Sequence, residues 1–101
     1  MLKIKEGVVV QGLGTETLLA AVVAQSVYAK HGKDCVITSA LDGQHSATSL
    51  HYSGNALDLR TRHLDAGQAE AITDDLQEAL GDDYDVVLEG NHIHVEYQPK
   101  R

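Results

Sequence analysis

The segment from residue 84 to residue 98 constrains the fold most, because two alternating runs of apolar and polar residues flank the pair Gly90-Asn91. Glycine and asparagine are turn-forming residues, so this pattern predicts a β-hairpin with a two-residue loop. In that register every inward-facing pair is apolar or aromatic: Leu88 with Ile93, Val86 with Val95, and Tyr84 with Tyr97. A register with one coherent apolar face is strongly specified.

The other face of this hairpin carries most of its polar side chains. Residues two apart on a strand point the same way, so His92 and His94 lie side by side on this face. With a two-residue loop, Glu89 opposes His92 and faces the same side. The full set on this face is Asp85, Val87, Glu89, His92, His94 and Glu96. A solvated polar face with chance histidines is the alternative interpretation of the hairpin taken alone.

The rest of the chain predicts two helices and three further strands. The first helix follows Thr15 as its cap and runs to about Ala29, and the second begins near the Asp65–Gln68 capping-box pattern and ends at Gly81. Apolar residues recur at helical spacing in both helices: Leu19, Val22, Val23 and Val27 in the first, and Ala69, Ile72, Leu76 and Leu80 in the second. Strands are predicted at 8–10, 36–38 and 56–62, with a turn-rich loop over 40–50 between the last two. This order predicts an α+β fold with a small, mostly antiparallel sheet packed with two helices.

Length and charge restrict the classes of function. A chain of 101 residues predicts a single domain over 1–101, and its net charge of −7 argues against nucleic-acid and anionic-lipid partners. No stretch approaches the roughly 18 consecutive apolar residues of a membrane span, and the N-terminal residues lack a signal-peptide pattern. The protein is therefore expected to be made in the cytoplasm. Cys35, the only cysteine, begins an apolar run and is predicted to be a buried, inert thiol.

A second polar pattern precedes and enters the predicted strand at 56–62. His51 lies in or just after the loop, Asp58 lies on the polar face of the strand, and Gly54 allows a sharp turn between them. Catalytic zinc sites commonly use three imidazole and carboxylate ligands and leave one position open. His51, Asp58 and one hairpin histidine form such a set. Taken singly, His51 is an ordinary loop histidine and Asp58 an ion-pair partner of Arg60 or Arg62.

The run from Ser49 to Asp58 resembles the S-x-H-x-x-G-x-A-x-D signature of the D-alanyl-D-alanine carboxypeptidase and Hedgehog-type zinc peptidase family. His92-Ile93-His94 resembles the later H-x-H element of that family. The resemblance covers about residues 34–98 and is closest to compact phage or prophage members. It implies a Hedgehog/DD-peptidase-like fold and Zn²⁺ as cofactor. It also implies hydrolysis of a peptide bond in peptidoglycan stem peptides, of D,D or L,D type, at the bacterial cell wall after release or within a phage particle.

The resemblance also implies the roles of individual residues. It assigns the zinc ligands to His51, Asp58 and His94, proton transfer to Glu89, and the holding of bound groups to His92. It places Ser49 near the substrate. The loop that carries an arginine in many relatives has only His45 as a basic candidate here, and Arg60 is the alternative source of positive charge.

Three alternatives stay open at this stage. His92 rather than His94 is a possible ligand, because Glu89 precedes them by three and five residues respectively. A structural zinc site closed by both histidines is compatible with their spacing on one strand. A binding module that holds zinc and wall peptides or a protein partner without cleaving them is the third.

Overall fold

The computed structural model describes residues 1–41 and 54–99. Its five strands and two helices are β1 Leu2–Ile4, α1 Thr15–Lys30, β2 Cys35–Ser39, β3 Ala56–Arg60, α2 Gln68–Leu80, β4 Tyr84–Leu88 and β5 His92–Tyr97. The strands form one sheet in the order β1-β2-β3-β5-β4. Among the strands of the described ranges only the pair β1–β2 is parallel, so the predicted α+β fold with a mostly antiparallel sheet is confirmed.

The hairpin β4–β5 has the register that the sequence predicts. Leu88 lies opposite Ile93, Val86 opposite Val95 and Tyr84 opposite Tyr97. The amide N–H of Glu89 donates to the carbonyl of His92 at 2.8 Å, which closes the two-residue loop. The alternation of apolar and polar residues and the turn chemistry agree here, and together they fix the pairing.

Both helices pack on one face of the sheet, and this two-layer arrangement leaves the opposite face for polar side chains. The core between the layers contains alternate residues of the three central strands: Cys35 and Ile37 of β2, Leu57 and Leu59 of β3, and Ile93 and Val95 of β5. Ile72 and Leu76 of α2 are fully buried against it. Since successive side chains of a strand point to opposite faces, Asp58 and His94 must face away from the helices.

The first helix exposes much of the apolar stripe that the sequence predicts to be buried. Leu19 is 57% exposed and Val22 is 61% exposed, whereas Ala20, Ala21 and Ala24 are buried. Small side chains let the helix approach the sheet closely, so the face of α1 that carries these alanines packs against the sheet. The prediction was right for Val27, which is buried, and Val23 packs against the core.

Three further local predictions need correction. Residues 8–10 form no strand; β1 lies at Leu2–Ile4 instead, where it pairs in parallel with β2. The cap of α1 is Gly14 rather than Thr15, and α2 begins after Gly67, which has a φ of 82° and no side-chain cap. One half of the predicted capping box is present, since Gln68 accepts a hydrogen bond from the N–H of Asp65 at 2.9 Å. No helix among the described residues is both long and apolar enough to cross a membrane.

Candidate metal and catalytic site

The polar face of the sheet brings Asp58 and His94 together from two neighbouring strands. β3 and β5 are antiparallel, and their register places Asp58 directly opposite His94. Nδ1 of His94 lies 3.0 Å from Oδ1 of Asp58. The side chain of His94 is 17% exposed and that of Asp58 is 14% exposed, so the pair is largely shielded from solvent. Two of the three ligands expected from the sequence therefore meet in the structure.

A second carboxylate contacts the other nitrogen of the His94 ring. Nε2 of His94 lies 2.9 Å from Oε1 of Glu96, which is two residues further along β5. A neutral imidazole has one N–H and one lone pair, so only the charged ring donates to both carboxylates. The hydrogen bond with Asp58 is the largest cause of a raised pKa for His94; Glu96 adds to it, and partial burial opposes it.

Glu96 is held in place by its own neighbours. Asp85 of β4 lies opposite Glu96. With its amide nitrogen turned toward these carboxylates, Gln98 donates to Glu96 Oε2 and to Asp85 Oδ2, each at 2.8 Å. Side-chain alternation places Glu96 on the polar face of the hairpin, but no role was predicted for it. Its spacing of two residues from His94 on a strand was the signal that could have identified it.

His92 and Glu89 lie beside this pair, toward the hairpin loop. Nδ1 of His92 lies 2.7 Å from the side-chain oxygen of Asn91, so this ring nitrogen is the donor. The other nitrogen of His92 lies 3.6 Å from Glu89 and 3.7 Å from Asp58, which is longer than a hydrogen bond. Glu89 is 49% exposed and faces solvent at the edge of the cluster. Glu89, His92 and His94 thus share one face, as the sequence predicts.

The chain that leads into Asp58 is shaped by Gly54. Gly54 has a φ of 79°, and a Cβ atom on it would lie 2.7 Å from the carbonyl oxygen of Gly12. The carbonyl of Gly54 accepts a hydrogen bond from the N–H of Gly14 at 3.0 Å. Only glycine tolerates both the positive φ and the close approach to the backbone of Gly12, which gives a physical reason for Gly54 in the motif.

A β-bulge between β2 and β3 also sets the position of Asp58. Ile37 pairs with Leu59, but Ser39 pairs with Asp58, so β2 contains one extra residue at this point. The hydroxyl of Thr38 donates to the carbonyl of Asp58 at 3.4 Å. Bulges of this kind redirect side chains, and this one lies next to the acidic member of the site.

Four predictions concern residues outside the part of the chain that the structure describes. These are the ligand His51, the substrate-side residues Ser49 and His45, and the loop prediction beyond residue 41. Among residues 1–41 and 54–99, no three His, Cys, Asp or Glu side chains are grouped to hold a metal. Because His51 lies outside the described residues, its place in the three-ligand set stays a prediction.

The donor atoms that are described fit a zinc ion chemically. Zinc accepts imidazole nitrogen and carboxylate oxygen, and Asp58 and His94 present both within 3.0 Å of each other. A histidine ligand commonly donates its second ring N–H to a carboxylate, and Glu96 occupies that place. Cys35 takes no part, because it is fully buried in the core and burial raises its pKa to about 12.

No protein-family model matches this chain, and no curated protein matches it.

Proposed function

We propose that this protein is a zinc-dependent peptidase that hydrolyses a peptide bond in bacterial peptidoglycan stem peptides. The observation that supports it best is the contact of Asp58 with His94 across β3 and β5, with Glu96 behind the histidine ring. The sequence pattern adds His51 as the third ligand. The D,D- or L,D-type carboxypeptidase or endopeptidase activity would be exerted at the cell wall, after release or as part of a phage particle.

Zinc held by His51, Asp58 and His94 would polarise the substrate carbonyl and increase the acidity of water at the site. The protein prepares two of these ligands in distinct ways. Asp58 accepts a hydrogen bond from the ring of His94 at 3.0 Å, and its position on β3 is set by the bulge in β2. His94 has to lose the proton that faces Asp58 before that nitrogen can bind a metal.

Glu89 is proposed to move the proton during hydrolysis. Its carboxylate is half-exposed at the edge of the cluster, so both water and a substrate can reach it. It would accept a proton from the attacking water and pass it to the leaving amine. His92 lies 3.6 Å from Glu89 and would hold or polarise the bound groups, because its Nδ1 is fixed by Asn91.

The first test is hydrolysis of muropeptides by the zinc-loaded protein, with and without a chelator. The Glu89→Ala variant is expected to keep zinc and to lose cleavage by about 10²-fold or more, the usual contribution of general acid–base catalysis. Val87→Ala, on the same face but without a proton-transfer group, is the matched control and should retain activity. Full activity of Glu89→Ala would show that Glu89 is not the base.

A second candidate function is a zinc-containing module that binds wall peptides or a protein partner without cleaving them. It is favoured by the sequence of residues 39–45, which contains no arginine or lysine to stabilise the developing negative charge. Binding of muropeptides with no zinc-dependent turnover would identify this function. Turnover that a chelator abolishes would identify the peptidase.

A further inference from the structure

Positively charged side chains gather in an open cavity beside Asp58. The cavity has a volume of about 290 Å³ and lies on the sheet face opposite the helices. Three of its lining residues are the cations Lys5, Arg60 and Arg62, and Asn91 adds a polar side chain. This grouping is unexpected in a protein whose net charge is −7.

The cations come from two separate segments that the sheet brings together. Arg60 follows Asp58 by two residues on β3, so its backbone lies about 6.5 Å further along the same face. The N–H of Lys5 donates to the carbonyl of Ile37 at 2.9 Å, which fixes the chain just after β1 beside β2. The hydroxyl of the buried Tyr28 donates to the carbonyl of Arg60 at 2.8 Å and holds the end of β3. The backbone that carries Lys5 and Arg60 is therefore anchored.

The three cations have no carboxylate partner within the described ranges 1–41 and 54–99. Other basic groups do have such partners: Lys3 pairs with Asp34 and Lys33 pairs with Asp65. Like charges gathered in one concave surface repel one another and attract an anion. The planar guanidinium of an arginine matches a carboxylate with two parallel hydrogen bonds.

We propose that this cavity binds the carboxylate of a peptide ligand between Arg60, Arg62 and Lys5. A singly charged carboxylate suits the cavity better than a phosphate dianion, because Asp58 also lines it and repels negative charge. That the carboxylate belongs to the peptide being cleaved rests on the proposed peptidase function. Binding of the anion itself does not depend on zinc or on cleavage.

The test is an NMR titration of zinc-free protein, from which the chelator has been removed by dialysis. The probes are a short peptide that ends in D-alanine with a free carboxylate, the same peptide as its C-terminal amide, and inorganic phosphate. The free carboxylate is expected to shift the amide signals of residues 58–62 and 91–92. The amide is expected to bind at least about tenfold more weakly, because a charge-assisted hydrogen bond is lost.

Matched charge variants assign the effect to the cavity. Arg60→Gln and Arg62→Gln should each weaken binding of the free carboxylate by about tenfold, since each removes a guanidinium. Lys30→Gln removes a cation at the end of α1, outside this cavity, and should change the affinity less than twofold. Urea unfolding of each variant checks the fold. Arg62 lies after the end of β3, so its replacement changes no strand residue.

Three results would overturn the proposal: equal affinity for the carboxylate and the amide, equal effects of the arginine and Lys30 variants, or tighter binding of phosphate than of the peptide carboxylate. The peptidase proposal is tested separately by turnover. Carboxylate-dependent binding without zinc-dependent turnover supports the cavity and removes the peptidase. Turnover without a carboxylate preference supports the peptidase and removes the carboxylate site.

Discussion

The carboxylate of Glu96 allows a direct test of how His94 is prepared to bind a metal. Glu96 Oε1 lies 2.9 Å from His94 Nε2, the nitrogen that does not face Asp58. When Asp58 and Nδ1 of His94 bind zinc, Glu96 accepts the remaining N–H and fixes the orientation and tautomer of the ring. We therefore predict that Glu96→Ala weakens zinc binding although Glu96 is not itself a proposed ligand.

The size of the effect follows from the geometry and the exposure of Glu96. Loss of a partner that orients a ligand commonly weakens metal binding by about 10–100-fold. Glu96 is 22% exposed, so solvent screens its charge in part. An effect near the middle of that range is expected, about thirtyfold or roughly 2 kcal/mol.

The assay is competition for zinc against a fluorescent chelator at pH 7, with Glu89→Ala as the matched control. Both variants remove the same atoms and one negative charge, but Glu89 lies 3.6 Å from His92 and contacts neither proposed ligand. Glu89→Ala should therefore bind zinc within about threefold of the unchanged protein. Urea unfolding of the zinc-free variants separates a loss of affinity from a loss of fold.

Equal zinc affinities for Glu96→Ala and Glu89→Ala would refute this reasoning. That result would mean that Glu96 does not orient His94 in the metal-bound state.

Four further predictions concern stability and proton linkage. Gly54→Ala should lower the free energy of unfolding by more than about 1 kcal/mol, because Gly54 has a φ of 79° and a Cβ there would collide with a backbone carbonyl. Gly90→Ala is the control, because a Cβ at Gly90 meets open space and should not lower the stability in this way. Equal midpoints of urea unfolding for the two variants would contradict this prediction. Leu59→Ala truncates a fully buried side chain and should lower the free energy of unfolding by about 2–5 kcal/mol in the same assay. A smaller loss of stability would mean that neighbouring core residues move into the cavity. In zinc-free protein the raised pKa of His94 adds stability below about pH 6.5 that is lost as the pH rises through the folded-state pKa, and Asp58→Asn should remove that part of the pH profile. Zinc affinity should increase with pH over the same interval, up to tenfold per unit, as one proton is displaced; a flat profile would exclude His94 as the ligand that is deprotonated.

The β4–β5 hairpin was predictable in full because its determinants are local. Alternation of side chains defines the two faces, and the Gly90-Asn91 pair defines the loop length, so the pairing follows from sequence neighbours. The same alternation placed His92, His94 and Glu89 on one face. Local determinants also located the ends of α2 to within a few residues, since Gly81 stops it.

The buried side of α1 was not predictable from periodicity. Apolar residues lie on most sides of this helix, so several different faces show apolar residues at helical spacing. The face with the larger side chains was therefore predicted to be the buried one. Burial of Ala20, Ala21 and Ala24 follows from how closely the helix can approach the sheet. Strand β1 was missed for a related reason: its parallel pairing with β2 joins segments more than thirty residues apart.

The sequence by itself determined which residue types are available for metal chemistry and which of them share a face. Only the tertiary structure decided which strands are neighbours, and so that Asp58 contacts His94 across 36 positions of the chain. The strand order likewise gathered Lys5, Arg60 and Arg62 around one cavity. The physical reason is that side-chain alternation is a property of each strand, whereas strand order depends on the free energy of the whole core.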